Sequence, residues 1–240
     1  MRLARLATPD GPVSGRYEHG TIETLDGQYE VGRDGFLLPP ADPSALYCVG
    51  RNYAETLEQM AYERPEEPDF FIKPPTALVS HEQEIPYPAF TDELTYAGEL
   101  AAVIDQRCRN VASDDVPGIV RGYTILNDVD ALDQQGRTAR KAFDGSAPLG
   151  PWLETDVDPT SIDMWTDVAG ERRQDANTEL MLFDPYEIVS YLSERFTLRP
   201  GDVVAFGSPA NPGLLEPGDT VEITYEGVGT LRNTVGSTER

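Results

Sequence analysis

The residues best equipped for chemistry lie between Gly122 and Trp152. An apolar run over 123–126 ends at Asn127-Asp128, and Lys141 follows one short helix later, before the proline-rich turn Pro148-Leu149-Gly150-Pro151-Trp152. A carboxylate for a cation beside an ammonium for an anion is the equipment for holding a small oxo-acid. Lys141 stands out further because arginine supplies almost all the positive charge. Of 19 Lys and Arg residues, only Lys73 and Lys141 are lysines.

The bulk composition narrows the classes. A chain of 240 residues with 39% hydrophobic residues supports a full domain with a core and leaves room for a small appendage. No apolar run approaches the roughly 20 residues of a membrane helix, and the N-terminus lacks a signal-peptide core, so a cytoplasmic location is expected. A formal net charge of −23 disfavours nucleic acid and anionic membranes as partners. Such an acidic surface is what a halophilic cytoplasm selects, because screening shortens to about 3 Å at molar salt. No single surface acid can then be read as functional. Cys48 and Cys108 lack CxxC spacing and read as apolar filler, not as a zinc or redox motif.

These residues need elements to position them. The first part of the chain reads as a small antiparallel β unit, with strands over 2–7, 13–18, 21–24 and 28–31 separated by Asp10-Gly11, His19-Gly20 and Asp26-Gly27. Pro39-Pro40 and Asp42-Pro43 mark a boundary, giving an N-terminal unit over 1–42 and a main domain over 43–240. Beyond it come strands over 45–49 and 70–73, a helix over 53–62, and one long strand over 94–104 interrupted at Gly98. A short helix is expected near 116–120, and a better one over 185–195 with Asp184 as N-cap and Pro185 at N1. Late strands fall at 203–206, 220–225 and 228–233, with a loose tail from Gly236. Strands dominate without regular alternation with helices, so a doubly wound sheet is not expected.

In this order the segments resemble the fumarylacetoacetate hydrolase family. The resemblance is carried by Val49-Gly50-Arg51-Asn52-Tyr53-Ala54, Phe71-Ile72-Lys73-Pro74-Pro75, Tyr96-Ala97-Gly98-Glu99-Leu100, Gly122 to Asp133, Lys141 to Trp152, Gly170-Glu171-Arg172-Arg173-Gln174, Gly207-Ser208-Pro209 and Pro217-Gly218-Asp219. It covers about residues 45–233. It implies an α+β, β-rich mixed-sheet fold with short helices, a homodimer, a Mg²⁺ or Mn²⁺ ion, and short oxo-acid substrates that are hydrolysed, decarboxylated or isomerised.

The resemblance places the metal on Glu99 and Asp128, with a third carboxylate at the position occupied here by Ala97. Two residues apart on a strand share a face, which explains that spacing. Magnesium tolerates one or two carboxylates completed by water and substrate oxygens. Asp130, where the family often has serine, is a substitute ligand or a solvated acid. The lid histidine and glutamate are replaced by Thr56 and Gln59, neither of which accepts a proton at neutral pH. Leu132 stands where the family has arginine and reads as core packing, with Gln135 as a polar partner nearby. Lys141 matches the lysine that meets the substrate's oxygen and is the catalytic candidate. Substrate-binding candidates are Arg51 (a distal carboxylate or a loop brace), Lys73 (substrate or packing) and Ser208 (a carboxylate or the turn itself). His19 and His81 read as surface loop residues.

A metal-assisted isomerase, tautomerase or decarboxylase of a 2-oxo or dicarboxylic acid follows, ahead of a C–C hydrolase. The alternative is a family member that has lost catalysis and serves as a binding or structural protein. The charge surplus generates a separate prediction: the melting temperature falls steeply from molar KCl to dilute buffer. Equal melting temperatures in the two would remove the halophilic reading.

Overall fold

The computed structural model describes residues 1–61 and 63–238. Among these, twelve strands form one mixed sheet. Its path runs through Gln28–Glu30, Thr21–Glu23, Gly11–Glu18, Arg2–Thr8, Ala147–Glu154, Val120–Asn127, Gly98–Ile104, Val203–Ala205, Leu46–Gly50 and Asp69–Lys73. Phe36–Leu38 and Leu78–Val79 join it off this path. A five-stranded sheet packs beside it, ordered Glu171–Asn177, Asp163–Val168, Thr220–Tyr225, Gly229–Thr238 and Glu84–Tyr87. With three short α-helices among the described residues, the α+β, β-rich architecture is as expected.

Turn chemistry sets the first hairpins. His19 and Gly20 both adopt left-handed φ, 49° and 84°, between paired Glu18 and Thr21. Two consecutive positive φ values match the twist of flanking strands. The antiparallel N-terminal strands continue into the main sheet, because Arg2 and Leu3 pair with Glu154 and Leu153.

The central strand, Gly98–Ile104, is buried along its whole length. Leu100, Ala102 and Ile104 enter the core shared with Met164, Ile223 and Leu192, while Ala101 and Val103 face Leu46, Cys48 and Leu149. Period-2 alternation thus sends Glu99 to the second side, with Ala101. The expected long strand over 94–104 is in fact two. Leu94–Thr95 pairs with Asp130–Ala131 in a separate ladder, and the chain resumes pairing at Gly98. Gly98 is required there, since a Cβ would lie 2.7 Å from Thr166 Oγ1 and 2.9 Å from Ile223 Cγ2.

Other expectations are corrected in detail. The Pro148–Trp152 turn lies within the strand Ala147–Glu154, which pairs on one side with Leu78–Val79 at residues 147–148 and with Arg2–Leu3 at 153–154, so that Pro151 falls in the gap between these two short ladders. The strand Gly229–Thr238 runs on past Gly236, held by parallel pairing of Thr234, Val235 and Thr238 to Glu84–Tyr87, so no loose tail begins at Gly236. The helix expected over 53–62 is Ala54–Met60, and Tyr62 lies outside the described residues. The short helix expected near 116–120 is the 3₁₀ segment Ser113–Gly118, and Val120 already begins the next strand. Cys48 is buried and Cys108 half-buried, both as free thiols packed among apolar neighbours.

The helix Pro185–Arg195 follows its sequence signals closely. Asp184 accepts from the backbone N–H groups of Tyr186 and Glu187, and Glu187 returns a bond to the Asp184 N–H. Its buried face, Ile188, Val189 and Leu192, closes the main core. Asp184→Ala removes the reciprocal cap and is expected to lower stability by about 1 kcal/mol. Urea unfolding checks this, and an unchanged midpoint would contradict it.

Candidate active site

A cavity of about 730 Å³ opens where the ends of three neighbouring strands converge. Its walls include Arg51, Glu99, Asp128, Asp130, Lys141 and Ser208, together with Ala97, Thr56 and Leu132. Glu99 pairs across the sheet with Leu126, and Gly98 with Asn127, so the strand ending at Asn127 delivers Asp128 beside Glu99. The junction is fixed by polar bonds. Asn127 Oδ1 accepts from the Ala97 N–H at 3.1 Å, and the Asp128 N–H donates to the Ala97 carbonyl at 2.9 Å.

Asp128 is almost fully buried and sits between two ammonium groups. Lys73 Nζ lies 2.8 Å from its Oδ1, and Lys141 Nζ donates to its Oδ2. Burial alone would raise the Asp128 pKa, but the charges of Lys141 and Lys73 hold it below the usual carboxylate range. Burial likewise works against the Lys141 ammonium, and Asp128 and Asp130 outweigh it, leaving its pKa raised. Lys141 is therefore a permanent cation and proton donor in hydrogen bonds, not a base.

Glu99 has the opposite balance. Its burial, and then the neighbouring charge of Asp128, push its pKa up to about 8. Its Oε2 accepts from the Gly207 N–H at 3.0 Å. Gly207 has φ 89°, and a Cβ there would come 2.9 Å from the Asn52 Cβ and 3.0 Å from the Val49 carbonyl oxygen. The close approach of this loop to Glu99 thus depends on glycine.

Several expected site residues are placed differently. Lys73 is wholly buried below the cavity, donating to the carbonyls of Val129 (3.1 Å) and Ser146 (2.7 Å), so it acts on Asp128 and not on the cavity contents. Gln135 is exposed in the turn before the short helix Arg137–Lys141, and its neighbour Gln134 lines the wall instead. Asp130 is spent on cations: Arg140 grips it at 2.9 and 2.6 Å, and Lys141 lies 3.1 Å away. Its two oxygens are thus paired with cations, as those of Asp128 are. Leu132 is 40% exposed at the cavity wall, not core packing, because Leu94 and Ala131 already fill the interior beside it.

The lid positions have become latches. Thr56 Oγ1 donates to the Ser208 carbonyl at 3.1 Å, and Gln59 exchanges two hydrogen bonds with Asn211, at 3.1 and 2.9 Å. Gln174 supports the same loop, donating to Ser208 Oγ and the Pro209 carbonyl, both at 2.9 Å. Neither histidine reaches the cavity: His19 is exposed in its turn, and His81 accepts from the Arg232 N–H at 3.1 Å.

Arg137 and Arg140 also line the cavity and were not singled out in the sequence. The available signal was their position on the Lys141 helix, one turn and one residue before it.

The donor set fits one kind of cation. Glu99 and Asp128 offer hard carboxylate oxygens, and Asp128 Oδ1 is buried without a hydrogen bond in good geometry. No group of three or more ligating side chains exists among the described residues. Two carboxylates suit Mg²⁺ or Mn²⁺ with water and substrate, and not zinc, which takes three or four protein ligands.

The profile of the family described as Fumarylacetoacetate (FAA) hydrolase C-terminal matches residues 45–236. The chain is similar to the crystal structure of a 5-carboxymethyl-2-hydroxymuconate delta-isomerase from Mycobacterium smegmatis, with TM-score 0.90 and 39% identity over 100% of both chains. It is likewise similar to a 2-hydroxyhepta-2,4-diene-1,7-dioate isomerase from Mycobacterium marinum, with TM-score 0.87 and 39% identity over 100% of this chain and 99% of that one. It is 35% identical over 208 residues to a 4-hydroxyphenylacetate degradation bifunctional isomerase/decarboxylase of Salmonella dublin, covering 83% of this chain and 48% of that protein.

The raised pKa of Glu99 generates a prediction. An acid with a raised folded pKa costs nothing while protonated in both states, and the cost grows as pH climbs from about 4.5 to about 8. Without divalent cation, Glu99→Gln should therefore leave the melting temperature unchanged at pH 4 and raise it at pH 9. Adding Mg²⁺ or Mn²⁺ should stabilise the wild type and not the variant. A cation-induced shift of equal size in both would remove Glu99 from the metal site.

Proposed function

The chain belongs to the fumarylacetoacetate hydrolase family, and from that premise we propose that it is a metal-assisted isomerase or tautomerase, or a decarboxylase, of a short 2-oxo dicarboxylic acid. One observation carries the reading: Glu99, Asp128 and Lys141 converge on a cavity whose walls contain no imidazole. Water attack needs a base to activate the water. Enol–oxo interconversion and loss of CO₂ instead develop an enolate, which needs fixed positive charge and excluded water.

Each residue then has a task. Lys141 presents an ammonium to the oxo or carboxylate oxygen and stays charged throughout, because Asp128 and Asp130 hold it so. Ser208 offers a hydroxyl from the loop that Thr56 and Gln174 fix in place. Glu99 and Asp128 would hold Mg²⁺ or Mn²⁺, which supplies Lewis-acid stabilisation of negative charge growing on a substrate oxygen. The isomerase and decarboxylase names of similar proteins support this class.

A second reading is favoured by the ion pairs themselves. Asp128 is already neutralised by two lysines, and Thr56 and Gln59 serve as latches, as in a binding protein that has kept the fold without catalysis. Turnover of enol-oxaloacetate and of longer oxo-diacids, in molar KCl with Mg²⁺ or Mn²⁺, separates the two. The enzyme reading expects cation-dependent turnover, reduced about 10²–10³-fold in Lys141→Met, the range for loss of one oxyanion donor. No rate above background overturns it. A silent wild type that gains turnover as Ala97→Glu/Thr56→His would establish the second reading.

A further inference from the structure

We infer that Arg137 is a specificity-determining residue, taking the distal carboxylate of a substrate whose oxo-acid end lies at Glu99, Asp128 and Lys141. The inference rests on the functional reading above and adds a direction and a length to it.

Two elements run side by side along the cavity wall and carry charge in the same order. On the strand Asp69–Lys73, alternation puts Asp69, Phe71 and Lys73 on one face. Lys73 reaches Asp128 at the inner end. Asp69 lies four residues away at the outer end, about 13 Å along the strand. On the facing helix Arg137–Lys141, residues four apart share a face, about 6 Å from each other along the axis. Lys141 bonds inward to Asp128, while Arg137 bonds outward to Asp69 through two contacts, at 2.7 and 2.6 Å. The Phe71 ring lies between them, 5.5 Å from Lys141 Nζ and 5.6 Å from the Arg137 guanidinium carbon.

The cavity therefore offers a cation at each end of an apolar floor. Arg137 is 36% exposed and lines the cavity, and of the five N–H donors a guanidinium carries, Asp69 takes two and the Phe70 carbonyl a third at 3.4 Å, leaving two. Asp69 fixes the planar fork through both of its oxygens, and Arg51 Nε, 3.9 Å from Asp69, adds positive charge at the same end. Such an arrangement selects a 2-oxo acid with a second carboxylate at the far end of an aliphatic or diene chain. A monoacid of equal length would leave Arg137 without its counter-charge.

Two acids of equal chain length test this. Calorimetric binding of 2-oxoadipate and 2-oxohexanoate is measured in molar KCl with saturating Mg²⁺. Wild type should bind 2-oxoadipate tighter by roughly ten- to a hundredfold, as expected of charge-assisted hydrogen bonds. Arg137→Gln should erase that preference and leave 2-oxohexanoate affinity unchanged. Asp69→Asn, which keeps the guanidinium, should lower the melting temperature as Arg137→Gln does and yet retain the preference. Equal affinities in the wild type, or equal loss of preference in the two variants, would overturn the assignment of Arg137 alone. Failure of the wild type to bind either acid would overturn the functional reading and this inference with it.

Discussion

The site is built around one buried carboxylate held by two ammonium groups. Removing an unpaired charge from water costs several kcal/mol, so Asp128 is tolerated in the interior only because Lys73 and Lys141 meet it. Lys73 also has its remaining donors assigned, to the carbonyls of Val129 and Ser146. One ammonium thus ties the edge strand Asp69–Lys73, the turn after Asn127, and the start of the strand Ala147–Glu154 to a single point. Arginine would not serve: its planar fork is too wide for three acceptors around one nitrogen. A chain that otherwise avoids lysine places both of its lysines here.

Much of this was legible because it is local. Asp184 before Pro185 fixes the start of a helix by short-range bonds, and the helix Pro185–Arg195 begins and ends where its residues indicate. The segments 220–225 and 45–49 read as strands from composition alone, the second observed as Leu46–Gly50, and the ordered motifs over 45–233 correspond to the family match over 45–236. Glu99, Asp128 and Lys141 could be named in advance because the motifs that carry the family resemblance contain them.

What was not legible depends on partners distant in the chain. Nothing between residues 94 and 104 reveals that Thr95 pairs with Asp130 while Gly98 pairs with Asn127; strand identity is a matter of which neighbour supplies the hydrogen bonds. Gln135 and Gln134 are equivalent on paper, and the bend before Gly136 decides which one faces the cavity. Asp130 reads in the sequence as a substitute ligand or a solvated acid, and only the fold brings Arg140, ten residues on, to hold it. In each case the deciding contact is a side chain or ladder that folding brings in from elsewhere.

The two scales of electrostatics in this protein oppose each other. Overall the chain carries −23, which repels an anionic substrate at long range. Inside the cavity the balance reverses, with Arg51, Arg137, Arg140 and Lys141 set against Glu99, Asp128 and Asp130. Salt treats these two fields differently. Screening acts over about 10 Å at 0.1 M and about 3 Å at 1 M, so it removes the repulsion between the acidic surface and an approaching diacid. Contacts within a desolvated cavity are made at hydrogen-bond distance, where mobile ions do not intervene, and persist. High salt would then favour binding by suppressing the unfavourable field while sparing the favourable one, which would reconcile the proposed diacid substrate with an intensely acidic exterior.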